Sequence, residues 1–311
     1  MQIRVLGAAA GGGFPQWNCN HPNSRRARAG DPDTPSRTQS SIAVSDDGAR
    51  WFLFNASPDL RQQIAENPVL QPSAQAPLRY SPITGAVLTN ADVDHVAGLL
   101  NLRESQPLSL YATPRVLGVL EANTIFNVLN PAFVERRTLT LDEPVALVDA
   151  AGGDAGLEIT PFAVPGKVAL WLEDEAKGPD FGSVDEDTIA LHVRSTSSGA
   201  SFHYMPACAA ITDAVRERVR GTPLLFFDGT LWVDDEMVRD GVGVKTGKRM
   251  GHTSISGEGG SLHGLDGLDI GRRIFIHLNT TNPVLSADTR ERRAVEDAGW
   301  EVSYDGMEID L

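Results

Sequence analysis

One stretch limits what this chain can become: Val87-Leu88-Thr89-Asn90-Ala91-Asp92-Val93-Asp94-His95-Val96-Ala97-Gly98. The apolar run 85–88 reads as a short buried strand, and the spacing of apolar residues over 96–102, closing into Arg103-Glu104, reads as the start of an amphipathic helix. The polar residues between them therefore lie on a strand-to-helix loop, at the carboxyl end of a strand, where open sheets leave a crevice. Asp92, Asp94 and His95 bring two carboxylates and an imidazole together there, a ligand set suited to a divalent metal. An Asp at a helix start commonly caps it. That accounts for one carboxylate, not for two beside a histidine.

The 311 residues, 41% hydrophobic and 22% charged, suffice for one large core or at most two domains. A formal net charge of -14 argues against a nucleic-acid partner, which needs a concentrated basic face. Two cysteines, Cys19 and Cys208, are too few for a disulfide framework, and no apolar run is long enough to span a bilayer. The short apolar stretch at the N-terminus has no basic segment before it and reads as a first strand, not a secretion signal. The expectation is a cytoplasmic protein without membrane insertion.

In chain order, a strand over 2–6 runs into Gly11-Gly12-Gly13, which lacks the Gly-Lys-Ser/Thr of a phosphate loop. Strands at 40–45 and 50–55 flank Asp46-Asp47-Gly48, a hairpin turn. Asn55-Ala56-Ser57-Pro58 is expected to cap a helix over 58–64, with Pro58 at its first position. A surface loop over 66–82, strands at 108–112 and 157–164 and a helix at 114–126 follow, an α/β alternation with hairpins mixed in. The acidic segment 166–187 reads as an extended flap or hairpin. Further strands are expected at 188–193, 201–205, 224–227 and 273–276. Arg25, Arg26 and Arg28 read as a solvated patch. His192 and His203 sit inside strand patterns and His263 in a glycine-rich loop, so none of the three is expected in the site.

The loop at 90–95 resembles the metal loop of the metallo-β-lactamase superfamily, His-x-His-x-Asp-His, with Asn90 and Asp92 in place of the first two histidines and Asp94-His95 intact. The whole chain is similar to the coenzyme PQQ synthesis protein B family. The likeness runs from Gly7-Ala-Ala-Ala-Gly-Gly-Gly-Phe-Pro-Gln-Trp-Asn-Cys19 through Arg37-Thr-Gln-Ser-Ser-Ile-Ala-Val44 and Asn55-Ala-Ser-Pro-Asp-Leu-Arg-Gln-Gln-Ile64 to the C-terminus. It implies one metallo-β-lactamase-like domain over 1–311, an αββα sandwich of two mixed β-sheets flanked by helices. The superfamily places a carboxylate where Asp228 follows the 224–227 strand and a histidine where His277 follows the 273–276 strand. The expected metal ligands are thus Asp94, His95, Asp228 and His277. Pro206-Ala207 stands where relatives supply another histidine, so about one catalytic metal per chain is expected. Asp92 and His252 are the expected catalytic residues. His252, on a loop that in relatives folds over the cleft, would be a substrate contact or a base acting behind the ligands. Relatives carry Cys-x-Cys-x-x-Cys where this chain has Cys19, His21 and Ser24. Cys19 and His21 alone cannot close a tetrahedral site, so structural zinc is not expected unless a remote residue completes it.

Two imidazoles and carboxylates with open positions resemble the ligand set of non-haem Fe(II) oxygenases, whereas binuclear zinc hydrolases need the histidines this chain lacks. The resemblance implies PQQ biosynthesis by iron- and O2-dependent hydroxylation of the tyrosine ring of the Glu-Tyr intermediate, with Fe(II) as cofactor and zinc as its alternative. A zinc-dependent hydrolase and a soluble carrier of PQQ or its precursor to the periplasm stay open. The partners implied are the Glu-Tyr-derived small molecule and O2. Other PQQ-pathway proteins and a homodimer are left undecided, and no organic cofactor site is expected.

Overall fold

In the computed structural model, which describes residues 1–177 and 181–311, the apolar runs become strands covered on both faces. Phe52 and Phe54 point into the space between two sheets, while Trp51 and Leu53 point outward beneath helices. Leu224 and Phe226 likewise face inward, and Leu225 and Phe227 outward. A strand with two buried faces shows no polar alternation, and each such side chain contributes roughly 1.5–3 kcal/mol.

The first sheet has the order β14 (Glu308–Asp310), β1 (Gln2–Gly7), β2 (Ser41–Ser45), β3 (Trp51–Phe54), β4 (Ile83–Val87), β5 (Leu108–Ala112), β6 (Val134–Thr138). The second has the order β13 (Glu301–Val302), β12 (Arg272–Ile276), β11 (Leu224–Asp228), β10 (Ser201–Met205), β9 (Ile189–Ser195), β8 (Asp154–Ala163), β7 (Val145–Val148). Both sheets are mixed: β3 to β6 and β10 to β13 run parallel, and the other neighbouring pairs antiparallel. Helices Leu60–Glu66 and Pro114–Ala122 pack on the first sheet through Leu60, Val116 and Leu120. Helices Asp213–Val219 and Arg290–Asp297 cover the second through Val215, Val219 and Val295. This is the αββα sandwich expected from the resemblance. Among the described residues, no helix is long and apolar enough to cross a membrane.

The loops after β4, β11 and β12 meet where the sheets are pinned together, Ile189 N donating to Thr89 O at 2.9 Å. Several expectations fail around this junction. Asn55 does not cap the next helix, which begins at Leu60; with φ +64° its side chain bonds Thr89 N and Thr89 Oγ1, both at 2.9 Å, and so braces the 87–98 loop. The helix expected from 96 is one turn, Val93–Val96, followed by a 3₁₀ segment, Ala97–Leu102. Here Gly98 lies so close to the loop after β3 that a Cβ would fall 2.1 Å from Ser57 O. Among its described residues the 166–187 segment pairs no strands as a hairpin would: it forms 3₁₀ turns at Leu170–Leu172, Glu175–Lys177 and Asp185–Asp187, and residues 178–180 lie outside the described residues. The arginine patch is not merely solvated. Arg26 binds Asp31 at 2.6 Å and Asp288 at 3.0 Å, and Arg28 donates to the carbonyls of Cys19 and Gln16.

Candidate metal centre

His95 is 1% exposed, and its Nδ1 lies 2.7 Å from Asn90 Oδ1. An amide oxygen only accepts, so Nδ1 carries the proton and Nε2 the lone pair. That Nε2 is buried without a hydrogen-bond partner among the described residues, a state that ordinarily costs about 1–3 kcal/mol. A metal ion would satisfy it. Burial pushes the His95 pKa down to about 4, which keeps the ring neutral and able to ligate. Asn90 thus orients His95.

Asp94 Oδ2 is 3.9 Å from His95 Nε2 and 3.1 Å from His277 Nε2. Burial alone would raise Asp94, but the imidazoles of His95 and His277 hold its carboxyl below the usual range. For His277, burial opposes the charged form, and the bond to Asp94 overcomes it and raises the pKa. His277 has φ +66°, a left-handed conformation costing a non-glycine residue about 1–2 kcal/mol. The turn aims the imidazole into the crevice instead of along β12.

Asp228 ends β11 fully buried. Its Oδ1 accepts from Thr230 N at 3.0 Å and Thr230 Oγ1 at 2.6 Å, and its Oδ2 from Cys208 N at 3.0 Å and His252 Nδ1 at 2.8 Å. Because the Thr230 hydroxyl gives its proton to Asp228, it accepts from His277 Nδ1, 2.8 Å away. That fixes His277 with Nε2 towards Asp94. His252 stacks on His277, with ring centroids 5.0 Å apart and planes at 22°.

The four expected ligands, together with His252, which was expected as a catalytic residue, form two groups sharing His277: Asp94, His95 and His277, and Asp228, His252 and His277. In the first group a ring nitrogen stands ready, whereas both oxygens of Asp228 are committed to hydrogen bonds. Asp92 lines the same cavity, of about 260 Å³, with His252 and Gly11, where a Cβ would lie 3.4 Å from Asp94. Burial, then repulsion from Asp94, raises the Asp92 pKa, and Asp92 Oδ1 accepts from Leu170 N at 3.1 Å. A larger hollow of about 400 Å³, beside Gly12, Arg37 and Asp305, holds no group of metal-ligating side chains among the described residues.

Cys19 and His21 belong to no group of three metal-ligating side chains among the described residues. His21 Nδ1 accepts from Asn23 N at 3.3 Å and Nε2 faces Asp240 at 3.1 Å, while Ser24 Oγ meets Thr280 Oγ1 at 2.8 Å. His192 and His203 stack on each other within the second sheet, and His263 lies in the short helix Ser261–Gly264, all three outside the two ligand groups. Sequence reading missed Thr230, whose place two residues after Asp228 was its one signal, and the cavity cations Lys167 and Lys245.

Residues 50–278 match the Beta-lactamase superfamily domain. Coenzyme PQQ synthesis protein B of Gluconacetobacter diazotrophicus is 55% identical, with 99% of each chain covered. The protein of that name from Methylobacterium sp. is 51% identical over the full length of both. The chain belongs to the coenzyme PQQ synthesis protein B family. A solved relative, Zn(2+)-bound PqqB from Methylobacterium extorquens, superposes with a TM-score of 0.94 at 50% identity, each chain fully covered. A diphosphatase of the PhnP family, 20% identical with a TM-score of 0.69 over all of this chain and 96% of its own, shares the fold. Metal binding by the PQQ synthesis protein B fold thus accords with the ligand groups found here.

Proposed function

We propose that this chain acts in PQQ biosynthesis as an iron- and O2-dependent hydroxylase of the tyrosine ring of the Glu-Tyr intermediate, with Asp94, His95 and His277 holding the iron. The buried, unpartnered Nε2 of His95 beside the Asp94–His277 pair carries this reading. Two histidines and one carboxylate are the ligands of non-haem Fe(II) oxygenases, which leave positions for O2 and substrate. The pathway comes from the relatives' name.

Iron, when bound, supplies the one-electron chemistry that O2 activation requires. The protein's side chains do the rest. Asn90 holds the His95 tautomer, and Thr230 with Asp228 holds that of His277. His252, its Nδ1–H bound to Asp228, keeps Nε2 for taking the phenolic proton and returning it. One oxygen atom enters a ring C–H bond as hydroxyl and the other leaves as water, so an external reductant supplies two electrons. Asp92 acts on the approach of substrate, since it links the cavity to the segment at Leu170.

The Zn(2+)-bound relative favours zinc as a competing occupant, which would suit hydrolysis instead. Anaerobic reconstitution with Fe(II) or Zn(II), followed by the Glu-Tyr dipeptide, O2, a reductant and mass analysis, separates the two. A product heavier by one oxygen atom in the iron arm alone is expected. Fully iron-loaded protein that yields only unchanged or hydrolysed dipeptide would overturn the reading.

A further inference from the structure

The cavity carries positive charge that this chemistry leaves unused. Lys167 and Lys245 line it, and Arg249 lies in the last turn of the short helix Gly247–Met250 beside it. All three converge on Glu173. Arg249 grips that carboxylate through two parallel bonds of 3.0 and 2.8 Å, while Lys167 Nζ lies 3.0 Å from one oxygen and Lys245 Nζ 3.6 Å from the other. Each oxygen of Glu173 thus faces two cations. The Arg249 guanidinium also lies 3.9 Å from the centre of the Phe181 ring. Planar, doubly bonded contact with a guanidinium is how proteins recognise carboxylates specifically.

Glu173 is only 9% exposed in its side chain, and its acidity, about 2, is set first by the Arg249 bonds. The cluster therefore holds a charged carboxylate, shielded from water, at the edge of the cavity that contains the metal ligands. In a chain of net charge -14, three cations that meet on one carboxylate among the described residues are not a solubility device. The segment bearing Glu173 is joined to the metal loop by Leu170 N to Asp92 and by Trp171 Nε1 to Ala91 O at 3.2 Å. Contacts of this kind can be exchanged for contacts to a ligand.

We propose that Lys167, Lys245 and Arg249 form the subsite that receives a carboxylate of the small-molecule substrate, and that Glu173 fills it as an internal stand-in which that carboxylate displaces. The inference rests on the cavity being the substrate chamber proposed above, and it names the residues that would hold the substrate's carboxylate.

Calorimetry on the full, Zn-loaded chain, where no redox turnover interferes, tests it with the Glu-Tyr dipeptide and with glutaminyl-tyrosine amide, which lacks both carboxylates. Relative to wild type, E173Q should bind Glu-Tyr about fivefold tighter and K245M about fivefold weaker, with both effects shrinking in high salt. The amide should not distinguish the three proteins. Circular dichroism checks folding, and Lys245, 33% exposed in its side chain, is a safe position to change. Glu-Tyr affinity unchanged or lowered in E173Q, or no binding by E173Q at all, would overturn the subsite. Carboxylate-dependent binding without oxygenated product from iron-loaded protein refutes the hydroxylation and leaves the subsite standing. Product formed with affinities indifferent to Glu173 and Lys245 does the reverse.

Discussion

Asn90→Ala isolates the orientation of His95 from its ability to ligate. The substitution removes the acceptor for His95 Nδ1–H at 2.7 Å and for Asp92 N at 3.0 Å. In a pocket where His95 is 1% exposed, the stranded N–H should cost about 1–3 kcal/mol. For a chain of this length that is a fall in Tm of roughly 2–5 °C. The larger effect is on the metal. Without Asn90 the ring can place its proton on Nε2, which then cannot ligate, and loss of such an orienting partner weakens metal binding about 10–100-fold. Competition against a chromophoric chelator measures the affinity and scanning calorimetry the stability. Asn90→Asp, which keeps an acceptor at that position, should recover most of the affinity. If Asn90→Ala binds Fe(II) within about twofold of wild type, His95 is oriented by something other than Asn90.

His277→Ala should lose iron and dipeptide-dependent O2 consumption together, by more than about 100-fold, and Asn90→His should not bring back hydrolysis; full iron and full turnover in His277→Ala would remove His277 from the ligand set. Cys19→Ala should leave zinc content after mild chelation unchanged and cost about 1 kcal/mol or less, whereas zinc lost on that substitution would reveal a ligand set that closes there. His203 is neutral because burial pushes its pKa down to about 3, with Nδ1–H on Thr222 Oγ1 at 2.9 Å. Its folded pKa lies below the unfolded value of about 6.5, so the stability it confers is present above pH ~6.5 and lost as pH falls towards 3, at up to about 1.4 kcal/mol per unit. Urea midpoints should therefore decline less steeply between pH 6 and 4 in His203→Asn than in wild type, and parallel curves would refute this account.

The buried strands were legible, 224–227 as a continuous apolar run that lies within β11 and 201–205 by its alternation, which coincides with β10, while 108–112 coincides with β5. The edge strands β6, β7, β13 and β14 were not, since Glu135 and Glu308 interrupt any simple pattern and two or three residues of Glu301–Val302 and Glu308–Asp310 carry little signal. Asn55-Ala-Ser-Pro looks like a cap locally, but the side chain of Asn55 is claimed by Thr89, 34 positions away. Tertiary demand of that kind is invisible in a window of sequence. The same holds for Glu173 and its three cations, which lie 6, 72 and 76 positions from it.

His277 shows why the two ligand groups should be regarded as one device with unequal halves. It accepts backbone strain at φ +66° because one ring must answer to Asp94 through Nε2 and to Thr230 through Nδ1. Were Asp228 to ligate a metal directly, an oxygen would have to release Cys208 N, His252 or Thr230, each a buried or half-buried donor, at about 1–3 kcal/mol apiece. Were Asp94 to ligate, it would release only its bond to His277, which turns to the same metal. On this reasoning the proposed iron would sit on the Asp94 side, and Asp228 would hold His277, through Thr230, and His252 in place. A carboxylate at the end of β11 is then consistent with a single metal even though the sequence offers ligand types for more.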